Sequence, residues 1–114
     1  MPFLRIQTNK PLTGTEASRL AARASGVVAE QLGKPERYVM TSAESNPAMQ
    51  FAGTDAPLAY LELKSIGLPE SRTADLSRAL CEMLADAIGI DPERIYIEFT
   101  DAPRNMWGWN SGTF

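Results

Sequence analysis

Apolar positions recur with two different periods along this chain, and the two periods come in the same order twice. From Phe3 to Thr8 apolar and polar residues alternate, which predicts a strand. Asn9 to Thr13 reads as a turn. Thr13-Gly14-Thr15-Glu16 fits a capping box, in which a Thr hydroxyl and a Glu three residues on satisfy backbone N–H groups at a helix start. Ala17, Leu20, Ala21, Ala24, Val27, Val28 and Leu32 then fall at offsets 0, 3, 4, 7, 10, 11 and 15, one face of a helix. Gly33 ends that helix and Pro35 lies just beyond it. A second strand is predicted over Tyr38 to Thr41. The order then repeats: a strand over Leu58 to Ile66, a helix carried by Leu76, Ala79, Leu80, Met83, Leu84, Ala87 and Ile88, a stop at Gly89 with Pro92 following, and a long strand over Arg94 to Thr100. Residues 46–56 and 102–114 read as loops with short strand pieces around Phe51 and Trp107.

The repetition extends to the residues themselves. Leu32-Gly33-Lys34-Pro35-Glu36-Arg37-Tyr38-Val39 is echoed by Ile88-Gly89-Ile90-Asp91-Pro92-Glu93-Arg94-Ile95-Tyr96, with the Pro-Glu-Arg triplets 57 residues apart in a chain of 114. Two copies at half the chain length indicate internal duplication, since solenoids need three or more repeats. The expected fold is α+β: one domain over residues 1–114, built from two β-α-β units (about 2–57 and 58–114). Right-handed crossovers make the strands parallel within each unit, and the units together form a four-stranded mixed sheet with both helices on one face. The other face then needs a cover. Ile95, Ile97 and Phe99 cannot share a face with Tyr96 and Glu98, so an apolar sheet surface buried against another copy is expected, and with it a homo-oligomer.

Composition narrows the chemistry. The net charge of −3 disfavours a nucleic-acid partner, which selects basic surface. The absence of histidine removes Ser-His and Cys-His nucleophile arrangements and imidazole zinc sites. One cysteine, Cys81, leaves no internal disulfide and no CxxC redox pair. No P-loop, GxGxxG or paired acidic metal motif is present, so neither a cofactor nor a metal is expected. The apolar run at the N-terminus is too short for a signal peptide, and none reaches a membrane span. The expectation is a protein that stays in the cytoplasm, with no membrane partner.

Three candidates for chemistry remain. Methionine aminopeptidases generally remove Met1 before a small residue, and this leaves Pro2 with a secondary amine. A free α-amino group titrates near 7.7–8.0, and burial or a neighbouring cation lowers that value toward what a general base needs. The plainer alternative is that Pro2 is only the first residue of a strand. With Met1 attached, the Pro2 nitrogen is an amide without a basic lone pair. Lys34, just past a helix stop, can hold a substrate carboxylate as a point charge; alternatively it complements the helix dipole. Trp107, Trp109 and Phe114 can wall a pocket for a planar ligand, or clamp the chain end onto the domain.

Together these residues resemble the macrophage migration inhibitory factor family of the tautomerase superfamily, along nearly the whole chain. The resemblance rests on Met1-Pro2-Phe3, Thr8-Asn9, Gly33-Lys34-Pro35, Tyr38, Ser65-Ile66-Gly67, Arg94-Ile95-Tyr96-Ile97, Asp101 and the ending Gly108-Trp109-Asn110-Ser111 with Thr113-Phe114. D-dopachrome tautomerase is a close relative of that family. The resemblance implies a homotrimer with shared sites and a keto–enol tautomerase acting on small aromatic carboxylated substrates, phenylpyruvate-like or dopachrome-like. Pro2 is then the base and Lys34 holds the carboxylate. The backbone around Ser65 and Ile66 adds polar contacts, Tyr96 closes the pocket from the neighbouring subunit, and Trp109 and Phe114 form its rim. Two positions depart from the family: Glu98 stands where an Asn is usual, and Trp107 where a small aliphatic residue is. The family's thiol pair falls at Leu58 and Leu61, so a thiol oxidoreductase role does not carry over. Secreted family members lack signal peptides, so export without one is compatible with this sequence. A cytokine-like signalling or interaction protein with a vestigial pocket is the alternative function.

Overall fold

The computed structural model describes residues 1–114. Strand β1 (Phe3–Thr8) is followed by helix α1 (Gly14–Leu32), strand β2 (Met40–Ser45), strand β3 (Ala59–Ile66), helix α2 (Thr73–Ile88) and strand β4 (Ile95–Ala102). The chain closes with a small hairpin of β5 (Gly108–Trp109) and β6 (Gly112–Thr113). The sheet order is β2-β1-β3-β4. β1 runs parallel to β2 and β3 parallel to β4, while β1 and β3 are antiparallel. Each half is thus a β-α-β unit, and the two units meet at their first strands.

Local chemistry explains the helix limits. The Thr13 hydroxyl accepts from the Glu16 N–H at 3.1 Å, and the Glu16 carboxylate accepts from the Thr13 N–H at 2.9 Å. Gly33 and Gly89 take left-handed conformations (φ 63° and 68°) at the two helix ends, where a side chain is penalised. The core lies between the helices and one sheet face. Leu4 and Ile6 of β1, Leu61 and Leu63 of β3, and Leu80 and Leu84 of α2 are all buried in it. The halves are stitched where they join. The buried Thr8 hydroxyl donates to the Leu58 carbonyl at 2.7 Å, and the Asn9 side chain accepts from the Leu58 N–H at 2.9 Å.

Several expectations need correction. The first unit's second strand does not span Tyr38 to Thr41. Glu36–Tyr38 is a 3-10 turn and the strand runs Met40–Ser45. Pro35, with φ −60°, starts the turn, and pairing with all six residues of β1 decides the strand's length. The matching Pro92–Arg94 is also a 3-10 turn, so β4 starts at Ile95; β3 starts at Ala59, not Leu58. Around Phe51 there is only one bridge, to Thr54.

The largest correction concerns the sheet's open face. Ile97 and Phe99 pack against the helix-side core, and Ile95 belongs to it. By alternation the open face carries Arg5, Gln7, Tyr60, Glu62, Lys64, Tyr96 and Glu98 over most of its area, with Phe3, Met40 and Ile66 at the end near the N-terminus. It is a charged surface, not an apolar one. Arg5 pairs with Glu44 at 3.0 Å and Lys64 with Glu62 at 3.7 Å.

Candidate active site

The N-terminal strand, the end of α1 and the end of β3 converge on one point. In the β1–β3 register Phe3 faces Lys64, so the residue before Phe3 is level with Ser65. Pro2 is fully buried there, and its carbonyl accepts from the Met40 N–H at 3.0 Å, which fixes it to the start of β2. At the end of α1 the chain reverses through Gly33, and the Lys34 N–H donates back to the Ala29 carbonyl at 3.0 Å. This turn aims the Lys34 side chain at the end of β3. Its Nζ donates to the Ser65 hydroxyl at 3.2 Å and to the Ile66 carbonyl. The Asp101 carboxylate accepts from the N–H groups of Gly67 (3.0 Å) and Leu68 (3.1 Å), so the backbone just past Ile66 is held from β4.

Two adjoining cavities open at this point and share Met1, Tyr38 and Phe114. One, of about 190 Å³, is lined also by Lys34, Pro35, Ile66 and Arg104. The other, of about 240 Å³, is lined also by Pro2, Phe3, Met40, Trp107 and Trp109, among others. Its wall is an aromatic stack. Trp109 lies on Phe114 with centroids 5.5 Å apart and planes 16° from parallel, and Tyr38 meets Trp109 edge-on at 6.2 Å. The C-terminal segment is held in place by the Phe114 N–H, which donates to the Trp107 carbonyl at 3.2 Å.

The electrostatics favour an unprotonated amine. The α-amino group of Met1 is brought down from 8.0 to about 6, first by burial, then by the charge of Lys34 and a hydrogen bond with it, and last by the charge of Arg104. No acidic side chain lines the first cavity.

The structure therefore gathers Pro2, Lys34, Ile66, Trp107, Trp109 and Phe114 around the two cavities. The Ser65 side chain serves Lys34. It is fully buried and bonds to Lys34, so it positions the ammonium instead of facing a ligand. Tyr96 and Glu98 line neither cavity of their own chain. Tyr96, 65% exposed, packs on Phe51 at 4.6 Å between centroids. The Tyr60 hydroxyl lies 3.0 Å from a Glu98 carboxylate oxygen and 3.2 Å from one of Glu62. One proton serves two carboxylates there, and burial together with these contacts pushes the Tyr60 phenol up to about 12. Sequence reasoning missed Tyr38 and Arg104 as cavity residues, and Asp101 as the brace behind Ile66. The available signal for Arg104 was its position in the short segment between β4 and the tryptophans.

An α+β fold of two duplicated β-α-β units, with the chain's first residues set in a cationic, aromatic-walled pocket, defines the tautomerase-fold class. The sequence model described as "Macrophage migration inhibitory factor (MIF)" matches residues 1–114. A macrophage migration inhibitory factor homolog from Brugia malayi is 39% identical, covering 100% of this chain and 99% of the relative. The Mus musculus protein named macrophage migration inhibitory factor is 32% identical over the same shares. The crystal structure of a homologue from Prochlorococcus marinus superposes with a TM-score of 0.91 at 43% identity, covering 98% of each chain. This chain belongs to the macrophage migration inhibitory factor family.

Proposed function

We propose that this protein, once Met1 is removed, is a keto–enol tautomerase of small aromatic 2-oxo acids, phenylpyruvate-like or dopachrome-like, with the Pro2 amine as the base. The carrying observation is the pocket that receives the chain's first residues, where burial and the Lys34 and Arg104 charges lower the α-amino group of Met1; a Pro2 amine freed beside the same cations would be lowered for the same reasons. In the proposed reaction the amine takes a proton from the carbon beside the keto group. The electron pair moves into a carbon–carbon double bond, and the carbonyl oxygen gains negative charge and then a proton. Lys34 holds the carboxylate, and the local cations stabilise the enolate. The stacked Trp109 and Phe114 offer a face to the planar ring.

The reading includes a homotrimer in which Tyr96 of one subunit closes the pocket of the next. It is supported by the exposure of Tyr96 and by the unpaired outer edges of β2 and β4. Light scattering should then give three times the monomer mass, and a clean monomer at micromolar concentration sinks the shared site.

The enzymatic reading is tested by phenylpyruvate tautomerisation across pH with Met1-free protein. A lowered amine is protonated, and idle, only below its shifted value. So kcat/KM should rise with pH and level off below the ordinary α-amino range of about 7.7–8.0. No tautomerisation at any pH favours a signalling protein with a vestigial pocket.

A further inference from the structure

Arg104 is the one cation at this site that nothing else in the protein occupies. It sits in the 3-10 turn Arg104–Met106, between Pro103 and the tryptophan segment, and it lines the same cavity as Lys34. The other arginines show what an engaged guanidinium looks like in this fold. Arg94 donates to four backbone carbonyls, Arg5 pairs with Glu44, and Arg23 pairs with Asp86 at 2.7 Å. The Arg104 guanidinium has no hydrogen-bond or ion-pair partner. Lys34 already directs N–H bonds at Ser65 and Ile66 and also hydrogen-bonds the N-terminal amine, so little of its three-donor capacity is left for a ligand. A planar carboxylate is better matched by the free fork of an arginine.

The charge balance of the cavity points the same way. Once the N-terminal amine is neutral, the Lys34 and Arg104 charges face one cavity whose lining holds no acidic side chain. A monoanion neutralises one of them. We infer that Arg104 is a second acid-binding residue, and that the site selects small planar molecules carrying two acidic groups, such as a 2-oxo diacid, over their monocarboxylate counterparts. The inference rests on the pocket proposed above but not on its proton chemistry. Arg104 acts as a specificity-determining residue. The two acids are divided between a point charge at Lys34 and a fork at Arg104, which line one cavity from different chain segments.

The test uses unreactive ligands, so that binding is read apart from catalysis. Terephthalate and benzoate share a ring and differ by one carboxylate. Their dissociation constants for the intact Met1-free protein are measured by titration calorimetry, with quenching of Trp107 and Trp109 fluorescence as a second readout. Terephthalate should bind about tenfold or more tighter than benzoate, the worth of one added charge-assisted contact. In Arg104→Gln that ratio should collapse towards one, chiefly through weaker terephthalate binding, and Arg104→Lys should restore part of it. Both substitutions are at an exposed turn residue, and circular dichroism checks that the fold is kept. If the intact protein binds the two ligands within about threefold of each other, or if Arg104→Gln weakens both equally, the inference is overturned. Failure here leaves phenylpyruvate tautomerisation untouched. Conversely, discrimination between the ligands in a protein without tautomerase activity retains the diacid site and discards the reaction.

Discussion

The two halves of this protein are copies of one unit that have been put to different uses. After α1 the chain reads Gly33-Lys34-Pro35-Glu36-Arg37; after α2 it reads Gly89-Ile90-Asp91-Pro92-Glu93-Arg94. Both turns reverse through a left-handed glycine and continue into a 3-10 turn. In the first half the next residue is Lys34, whose ammonium crosses to the end of β3 and lines a cavity. In the second half it is Ile90, buried in the core. The arginines differ in the opposite sense. Arg94 holds the 51–57 loop through the carbonyls of Phe51, Thr54, Ala56 and Pro57, whereas Arg37 only lies over the Tyr38 ring at 4.7 Å, with one long contact to its hydroxyl. Duplication supplied the scaffold twice, and divergence made one turn the edge of a cavity and the other a brace.

This contrast can be broken at several points. The largest effect is expected at the start of the first half. Pro2→Gly keeps an amine but loses the rigid ring, and Met1-retaining protein has no amine on residue 2. Phenylpyruvate turnover should fall in both, more in the second, toward the loss of about 10²–10⁴ that removal of a positioned base brings. Equal rates in all three proteins would remove Pro2 as the base.

Next in size is Lys34→Ala, which should raise KM for a carboxylated substrate more than it lowers kcat, by an amount worth about 1.5–3 kcal/mol. The matching change in the other half, Ile90→Ala, should leave KM alone and cost stability by about 2–4 kcal/mol, because it opens a cavity in the core. Substrate titrations and urea unfolding separate the two outcomes. If Lys34→Ala changes only stability, the lysine serves the fold alone, as its counterpart does.

The paired arginines sharpen the comparison at smaller amplitude. Arg94→Ala should destabilise by about 1–2 kcal/mol, since its carbonyl partners lose a shared charged donor. Arg37→Ala should stay within about 0.5 kcal/mol. Equal urea midpoints for the two variants would contradict a division of labour between the turns.

The smallest effect is expected in the C-terminal hairpin, whose counterpart in the first half is a single bridge between Phe51 and Thr54 across Ala52 and Gly53. Asn110 and Ser111 both take positive φ (51° and 64°) between β5 and β6, the geometry of a tight two-residue hairpin turn. Serine is a poor occupant of that second place. Ser111→Gly should therefore stabilise by about 0.5 kcal/mol, the relief of left-handed strain less the added freedom of the unfolded chain. A lowered thermal midpoint would mean that the serine side chain contributes something the turn geometry does not.

Much of this was legible in the residues. Helical periodicity located both helices, because one-sided burial on a 3.6-residue turn leaves a long signal. The capping box at Thr13–Glu16 and the stops at Gly33 and Gly89 are local chemistry, written in adjacent positions. The echo of the Pro-Glu-Arg segments announced the duplication. Pro2 and Lys34 were readable as candidates because secondary amines and isolated lysines past helix stops are rare and local. The strand ends were not readable, because pairing with β1, and not the composition of residues 38–45, decides where β2 runs.

What the sequence settled, then, is whatever depends on neighbours along the chain: element type, helix termini and the repeated unit. What only the tertiary structure decided depends on residues far apart in number. Alternation in β4 separates Ile95, Ile97 and Phe99 from Tyr96 and Glu98, but it is identical for either orientation. Packing of both helices on one side turned the isoleucines inward and left a charged face open. Likewise nothing near position 34 names Ser65 and Ile66 as partners of Lys34, or Arg104 as its companion in the cavity. Those groups meet because β1 and β3 run antiparallel, which brings the start of one half beside the end of the other's first strand.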